Sequence, residues 1–458
     1  MEFFIYDIGF MIIFSAFVAY FLYSRRKNLK REGIMFLYRT KLGIKAINYI
    51  GDKFSKFLHS IKYLVIGTGF VLMAGMIYLL GYTIYTYIKF PQITKFVKAP
   101  PVMPLIPYFP KLFGMQSFFP NFYFTYFILA LIVVAVSHEF SHGIFMRLFK
   151  IKIKSTGFVF LGPILGAFVE QDEKQMKKKK SSEQMVVLGA GTFANLILAL
   201  LFFCLLILYF NLSFVPSGYI FNNYAYSIIP TNLISKVGNL SDNLTEIYVG
   251  EKKYFLDHNL KKQLGQNISH IVVYDDAPAI RAGLKGAIEE IDGIKISNRE
   301  DLKKFLLNKK PGDEIKIKTI NDGKEKIYTL RLGKHPANKS MAYLGIVSSV
   351  PTQNKGIIRK IVSHFMYFRN SSTYYKPRFN KDLAYFIYNL FYWIALINLF
   401  VALFNMLPLA ILDGGRFFYL AVFSLTKSKK IATNSFKFIS YVIILIFILM
   451  LFSWLSAL

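Results

Sequence analysis

The sequence predicts a polytopic α-helical membrane protein of about six transmembrane helices, with a membrane-re-entrant β-hairpin and one inserted mixed α/β domain. Three observations predict it. Of the 458 residues, 54% are hydrophobic and 17% aromatic, the composition of a chain that spends most of its length in lipid. Apolar stretches of about 20 residues recur, the length a helix needs to cross a hydrocarbon core of roughly 30 Å. Residues 211–382 break that rhythm with polar, strand-like alternation and turn signals, and so form a domain outside the lipid.

The first span covers residues 3–23. It lacks the basic lead of a cleavable signal and is followed by Arg25-Arg26-Lys27, so it reads as a permanent span with its N-terminus outside. A second span covers 63–88, and the basic, amphipathic stretch 24–62 between them is expected as helices on the cytoplasmic face. Residues 90–122 are rich in Pro and aromatic side chains, too broken for a helix and too apolar for open solvent. They are expected at the outer membrane surface. The third span, 122–149, runs inward. Residues 151–170 are apolar but too short and too interrupted by Gly157, Gly162, Pro163 and Gly166 to cross. A re-entrant hairpin packed against protein fits, because bare irregular backbone is not tolerated in lipid. Spans four, five and six cover 185–210, 383–406 and 438–455. The organisation is therefore 1–90 for the first two spans and their basic connection, 91–210 and 383–458 for two halves of a membrane core, and 211–382 for the insert.

The net charge of +30 is placed by topology. Lys and Arg crowd alternate short connections: Arg25 to Arg31, Lys150 to Lys154, Lys177 to Lys180, and Lys427 to Lys430. That is the positive-inside pattern, with added attraction to the anionic bilayer surface, and no aromatic-basic interleaving points to nucleic acid. All six Asn-x-Ser/Thr sequons, at Asn211, Asn239, Asn243, Asn267, Asn338 and Asn370, fall in the insert, in agreement with an extracytoplasmic location. The single cysteine, Cys204, sits in an apolar run, which excludes a disulfide framework and a Cys-type metal site.

The chemistry lies in His138-Glu139-Phe140-Ser141-His142, at the inner end of the third span. Residues four apart share one helix face, so both imidazoles can reach one metal ion, while Glu139 stands beside them to hold a water. Ionisable groups within a span are expensive, which makes a pair of idle core histidines a poor reading. A catalytic zinc takes three protein ligands and leaves a fourth position open. The third candidate is Asp413, in Asn405-Met406-Leu407-Pro408-Leu409-Ala410-Ile411-Leu412-Asp413-Gly414-Gly415. By itself Leu-Asp-Gly-Gly reads as an ordinary helix-ending turn. However, spans three and five both run inward, which brings Asp413 to the depth of the histidines.

These two motifs, HExxH in one span and Asn-x-x-Pro…Asp-Gly in a later one, resemble the site-2 protease family of intramembrane zinc metalloproteases. Residues 162–170 resemble that family's re-entrant loop, and Gly189-Ala190-Gly191-Thr192-Phe193-Ala194-Asn195 its Gly-x-x-x-Asn motif, with Thr192 where Pro is common. The resemblance covers roughly 100–210 and 385–420. It implies one Zn2+ held by His138, His142 and Asp413, and Glu139 as the group that takes a proton from water and passes it to the leaving amine. It also places Asn195 near the metal, where its amide can bind substrate backbone or the oxyanion; an interhelical hydrogen bond is the other use for it.

In the insert, residues 277–286, 291–296, 301–302 and 311–315 resemble a PDZ domain of the kind bacterial proteases carry, although Gly286-Ala287 stands where Gly-Asp is usual. Tyr343-Leu344-Gly345-Ile346 is either a carboxylate-binding loop or a closing strand. The expected partners are membrane-spanning protein substrates, with their ectodomains trimmed, and the bilayer itself; nucleic acid is not expected. The rival readings are a non-proteolytic membrane scaffold using the PDZ-like domain, a membrane hydrolase on an unrelated fold, and a transporter. Asp413 disfavours the second, and the lack of internal repeats the third.

Overall fold

The computed structural model describes residues 3–90, 105–116, 118–162, 164–241, 244–257, 269–321, 323–347 and 368–455. The chain divides into two compact units, Met1–Phe210 with Asp382–Leu458, and Asn211–Lys381. In chain order the first unit runs α1 (Phe3–Ser24), β1 (Leu29–Glu32), β2 (Met35–Thr40), α2 (Ile44–Lys53), α3 (Ser55–Lys89), the one-turn α4 (Phe109–Leu112) and α5 (Phe124–Leu148). It continues with β3 (Ile153–Leu161), β4 (Ile164–Gln171), α6 (Glu173–Lys177) and α7 (Ser181–Ser213). After the insert come α8 (Lys381–Asn405), α9 (Asp413–Thr426) and α10 (Lys429–Leu455).

Six of these helices, α1, α3, α5, α7, α8 and α10, are long and apolar enough to cross a membrane, and the protein is a polytopic membrane protein. Burial separates centre from periphery. In α5, 39% of the most apolar window is buried inside protein, against 11% in α1 and 17% in α10, so α5 is the central helix. Two clusters hold it. Towards its N-terminus, Phe122, Phe127 and Val134 pack with Trp393 and Ile397 of α8 and with Phe109, the Trp393 and Phe122 ring centroids lying 4.2 Å apart. Towards its C-terminus, Phe145 and Met146 join Val187 and Ala190 of α7, Met406, and Phe417 of α9.

The N-terminus of α5 receives a cap from another helix. Its N-cap residue, Tyr123, makes no side-chain cap bond. Instead Asp7 of α1, only 1% exposed, accepts hydrogen bonds from the backbone N–H of Phe124 (2.9 Å) and Thr125 (2.8 Å), from the Thr125 hydroxyl and from the Tyr108 hydroxyl. A carboxylate there answers both the orphan N–H groups and the positive end of the helix dipole.

The stretch expected as amphipathic helices differs in part. A helix forms at Ile44–Lys53, but Leu29–Glu32 and Met35–Thr40 are strands that extend the β3–β4 hairpin into a four-stranded antiparallel sheet, order β1-β2-β3-β4. Phe36 faces Phe160 and Thr40 faces Thr156, so the ladder supplies what the basic sequence alone did not specify. Residues 91–104 of the Pro-rich connection lie outside the described residues.

The second unit is described separately. Its antiparallel sheet has the strand order Lys324–Arg331, Glu314–Asn321, Ala287–Ile291, Phe214–Tyr219, Thr373–Pro377, with Ile294–Lys295 pairing beside Ala287–Ile291. The helix Arg299–Leu307, capped by the Asn298 side chain on the Asp301 N–H, contributes Leu302 and Phe305 to a core with Ile288, Ile291, Ile315 and Ile317. Chain entry and exit are paired: Phe214 faces Pro377 and Tyr219 faces Thr373. A second, five-stranded antiparallel sheet within residues 226–275 has its own small core of Ile247, Leu256 and Ile271. Sequons Asn243 and Asn267 lie outside the described residues.

Candidate metal centre

His138 and His142 lie one turn apart on α5, both buried. Their Nε2 atoms are 3.0 Å apart, and Asp413 Oδ2 stands 3.1 Å from His138 Nε2 and 3.3 Å from His142 Nε2. Three donor atoms from residues 275 positions apart in the chain thus converge on one point. A tetrahedral ion bound at about 2.0–2.1 Å spaces its ligand atoms by roughly 3.3 Å, so the donor set fits a metal ion of that kind. His138, Glu139 and His142 each present a ligand atom within 4.8 Å of the others.

Local structure explains how Asp413 arrives. Residues 406–412 make tight turns, with Leu409 N–H bonded to the Leu407 carbonyl and the Pro408 carbonyl accepting the Ser440 hydroxyl at 2.7 Å. Asp413 then opens α9 rather than closing α8, placing a carboxylate in the first turn, where the dipole favours it. Gly414 is required: a Cβ there would collide with the Met406 carbonyl group. Arg416, one turn on, ties α9 to Glu173 (3.3 Å) and Gln184 (3.1 Å).

The wall behind the site is α7. The Val187 carbonyl accepts from His142 Nδ1 at 2.6 Å, and the Asn195 side chain contacts His138 Nδ1 at 3.1 Å. Between them, a Cβ on Gly191 would stand 2.5 Å from His142 Nε2 and 2.6 Å from His138 Nε2. Residues 187, 191 and 195 follow i, i+4, i+8 and share one helix face. The sequence motif drew attention to Asn195; the roles of Val187 and Gly191 were missed, although that spacing could have pointed to them.

Glu139 faces the hairpin. Its Oε2 accepts the backbone N–H of Val169 at 3.0 Å, from the edge of β4 that no strand occupies among the described residues. Glu139, the two histidines, Asp413, Val169 and Asn405 help line a cavity of about 510 Å³. Glu170, at its rim, is held below the usual carboxylate range by the Ser155 hydroxyl and then by Arg39. Asn195 is fully buried; its amide meets Ser137 Oγ (3.3 Å) and His138.

The model of peptidase family M50 matches residues 126–451, from the start of α5 to the end of α10, a range that includes His138, Glu139, His142, Asn195 and Asp413. An uncharacterized protein of Methanocaldococcus jannaschii is 29% identical over 409 residues, 88% of this chain and 83% of the relative. The family match extends over more than half of the chain and includes both motifs that build the donor set, so this protein belongs to peptidase family M50, the site-2 protease family of membrane metallopeptidases.

Proposed function

We propose that the protein is an intramembrane zinc endopeptidase that hydrolyses peptide bonds in or near the transmembrane segments of membrane-anchored proteins. The observation that carries this reading is the convergence of His138 Nε2, His142 Nε2 and Asp413 Oδ2 within 3.3 Å, beside Glu139, in a unit with six membrane-length helices. Two imidazoles and a carboxylate suit Zn2+, which when bound supplies a Lewis acid that activates water and polarises a carbonyl.

The residues of the chain do the rest. Glu139 takes the proton of the attacking water on its carboxylate and returns it to the departing amide nitrogen. The Val169 N–H fixes the carboxylate during both transfers. A helical substrate hides its carbonyls and must unwind. The open edge of β4, on a hairpin that re-enters the membrane, is where an extended segment pairs by strand addition. The positive-inside pattern of the basic connections supports a site toward the cytoplasmic side and an insert outside. The insert, whose residues 277–315 resemble a PDZ domain in sequence, admits substrates whose ectodomains have been trimmed. A chelator should abolish cleavage of a single-span reporter by the purified protein, and Zn2+ should restore it. Unchanged cleavage after verified metal removal would refute the proposal.

A further inference from the structure

We propose that Asn195 is a positioning residue that fixes His138 as its Nδ1–H tautomer by accepting that proton, and does not serve as an oxyanion donor. The inference rests on the metal-site reading above and adds a role for α7 to it.

The amide of Asn195 is fully buried between two polar groups, Ser137 Oγ at 3.3 Å and His138 Nδ1 at 3.1 Å. In the structure Nδ2 faces His138 Nδ1 and Oδ1 accepts from Ser137 Oγ, but the reversed amide fills the same volume. With Nδ2 toward His138, the ring must offer a bare Nδ1. Its proton then sits on Nε2, where it blocks coordination. With Oδ1 toward His138, the ring donates Nδ1–H and Nε2 carries the lone pair that points at Asp413 and His142. The second orientation also completes the chain: Nδ2 donates to Ser137 Oγ, and the Ser137 hydroxyl donates to the Val133 carbonyl at 2.7 Å. His142 has the same arrangement already, its Nδ1 on the Val187 carbonyl at 2.6 Å. Residues 187 and 195 on one face of α7 therefore set both imidazoles in the same ligating tautomer, with Gly191 leaving the space between them.

An acceptor role and a donor role are separated by Asn195→Asp, which keeps the acceptor and loses the N–H. Zinc affinity of the purified full-length protein, measured by competition with a chromophoric chelator, should fall by roughly 10- to 100-fold in Asn195→Leu and stay near the wild-type value in Asn195→Asp. Wild-type zinc affinity in both variants, with turnover collapsing in Asn195→Asp, would overturn the proposal in favour of an oxyanion donor. Loss of zinc from Asn195→Asp as severe as from Asn195→Leu would also overturn it. A wild type that binds no Zn2+ would instead sink the metal-site reading, and this inference with it.

Discussion

Val169 donates its backbone N–H to Glu139 at 3.0 Å, a bond between the edge of a β-hairpin and the carboxylate of the HExxH helix. The same strand edge that would receive substrate therefore already holds the carboxylate proposed to move the proton. Strand pairing with β3 uses the opposite edge, so Val169→Pro removes this donor without touching a ladder bond. A hydrogen bond to a charged group is worth about 1.5–3 kcal/mol, so reporter cleavage should slow by roughly 10- to 100-fold. Zinc content should stay at the wild-type level, because no metal-ligand candidate is altered.

Asp413→Asn tests the ligand set. It preserves the shape of the α9 terminus but removes the anionic donor 3.1 and 3.3 Å from the two Nε2 atoms. Zinc affinity should fall by more than about 100-fold, beyond the range typical of a residue that only supports a ligand. Retention of full affinity would show that the third ligand lies elsewhere.

Asp7→Ala leaves the first N–H groups of α5 and two hydroxyls without their acceptor. Loss of a cap costs roughly 0.5–2 kcal/mol, and stranded buried donors roughly 1–3 kcal/mol each unless water reaches them. The thermal unfolding temperature in detergent should therefore drop clearly in Asp7→Ala and by less in Asp7→Asn, which keeps one acceptor. Equal stability of all three proteins would contradict the cap.

Much of this was legible in the sequence, for identifiable reasons. Spans follow from uninterrupted apolar length, and HExxH encodes its own geometry because a helix repeats every 3.6 residues. The approach of Asp413 followed from the direction of two spans. What was not legible depends on tertiary pairing. Leu29–Glu32 and Met35–Thr40 carry no apolar alternation and become strands through the ladder to β3. Asp7 looks like a stray acid in an apolar run until Phe124 and Thr125 present their N–H groups to it. The sheet within residues 226–275 went unassigned because its strands share only a small core.

Glu170 supplies a pH test of the hairpin. The Ser155 hydroxyl, followed by Arg39, holds its carboxyl below the ordinary range. A depressed folded value means the stabilisation is present above the unfolded value of about 4.3 and is lost as pH falls through the folded one. Amide protection of β3, corrected for intrinsic exchange, should fall below about pH 4 in the wild type. It should be lower and flatter across that window in Glu170→Gln.

Glu139 is the group proposed to move the proton at a metal-activated peptide bond. The direct measurement is cleavage of a single-span reporter by purified Glu139→Gln beside the wild type, with bound zinc determined on the same samples. The variant should keep wild-type zinc and cleave at a rate lower by about 10²- to 10⁴-fold, the usual contribution of general acid–base catalysis. A Glu139→Gln protein that holds zinc and cleaves at the wild-type rate would contradict it.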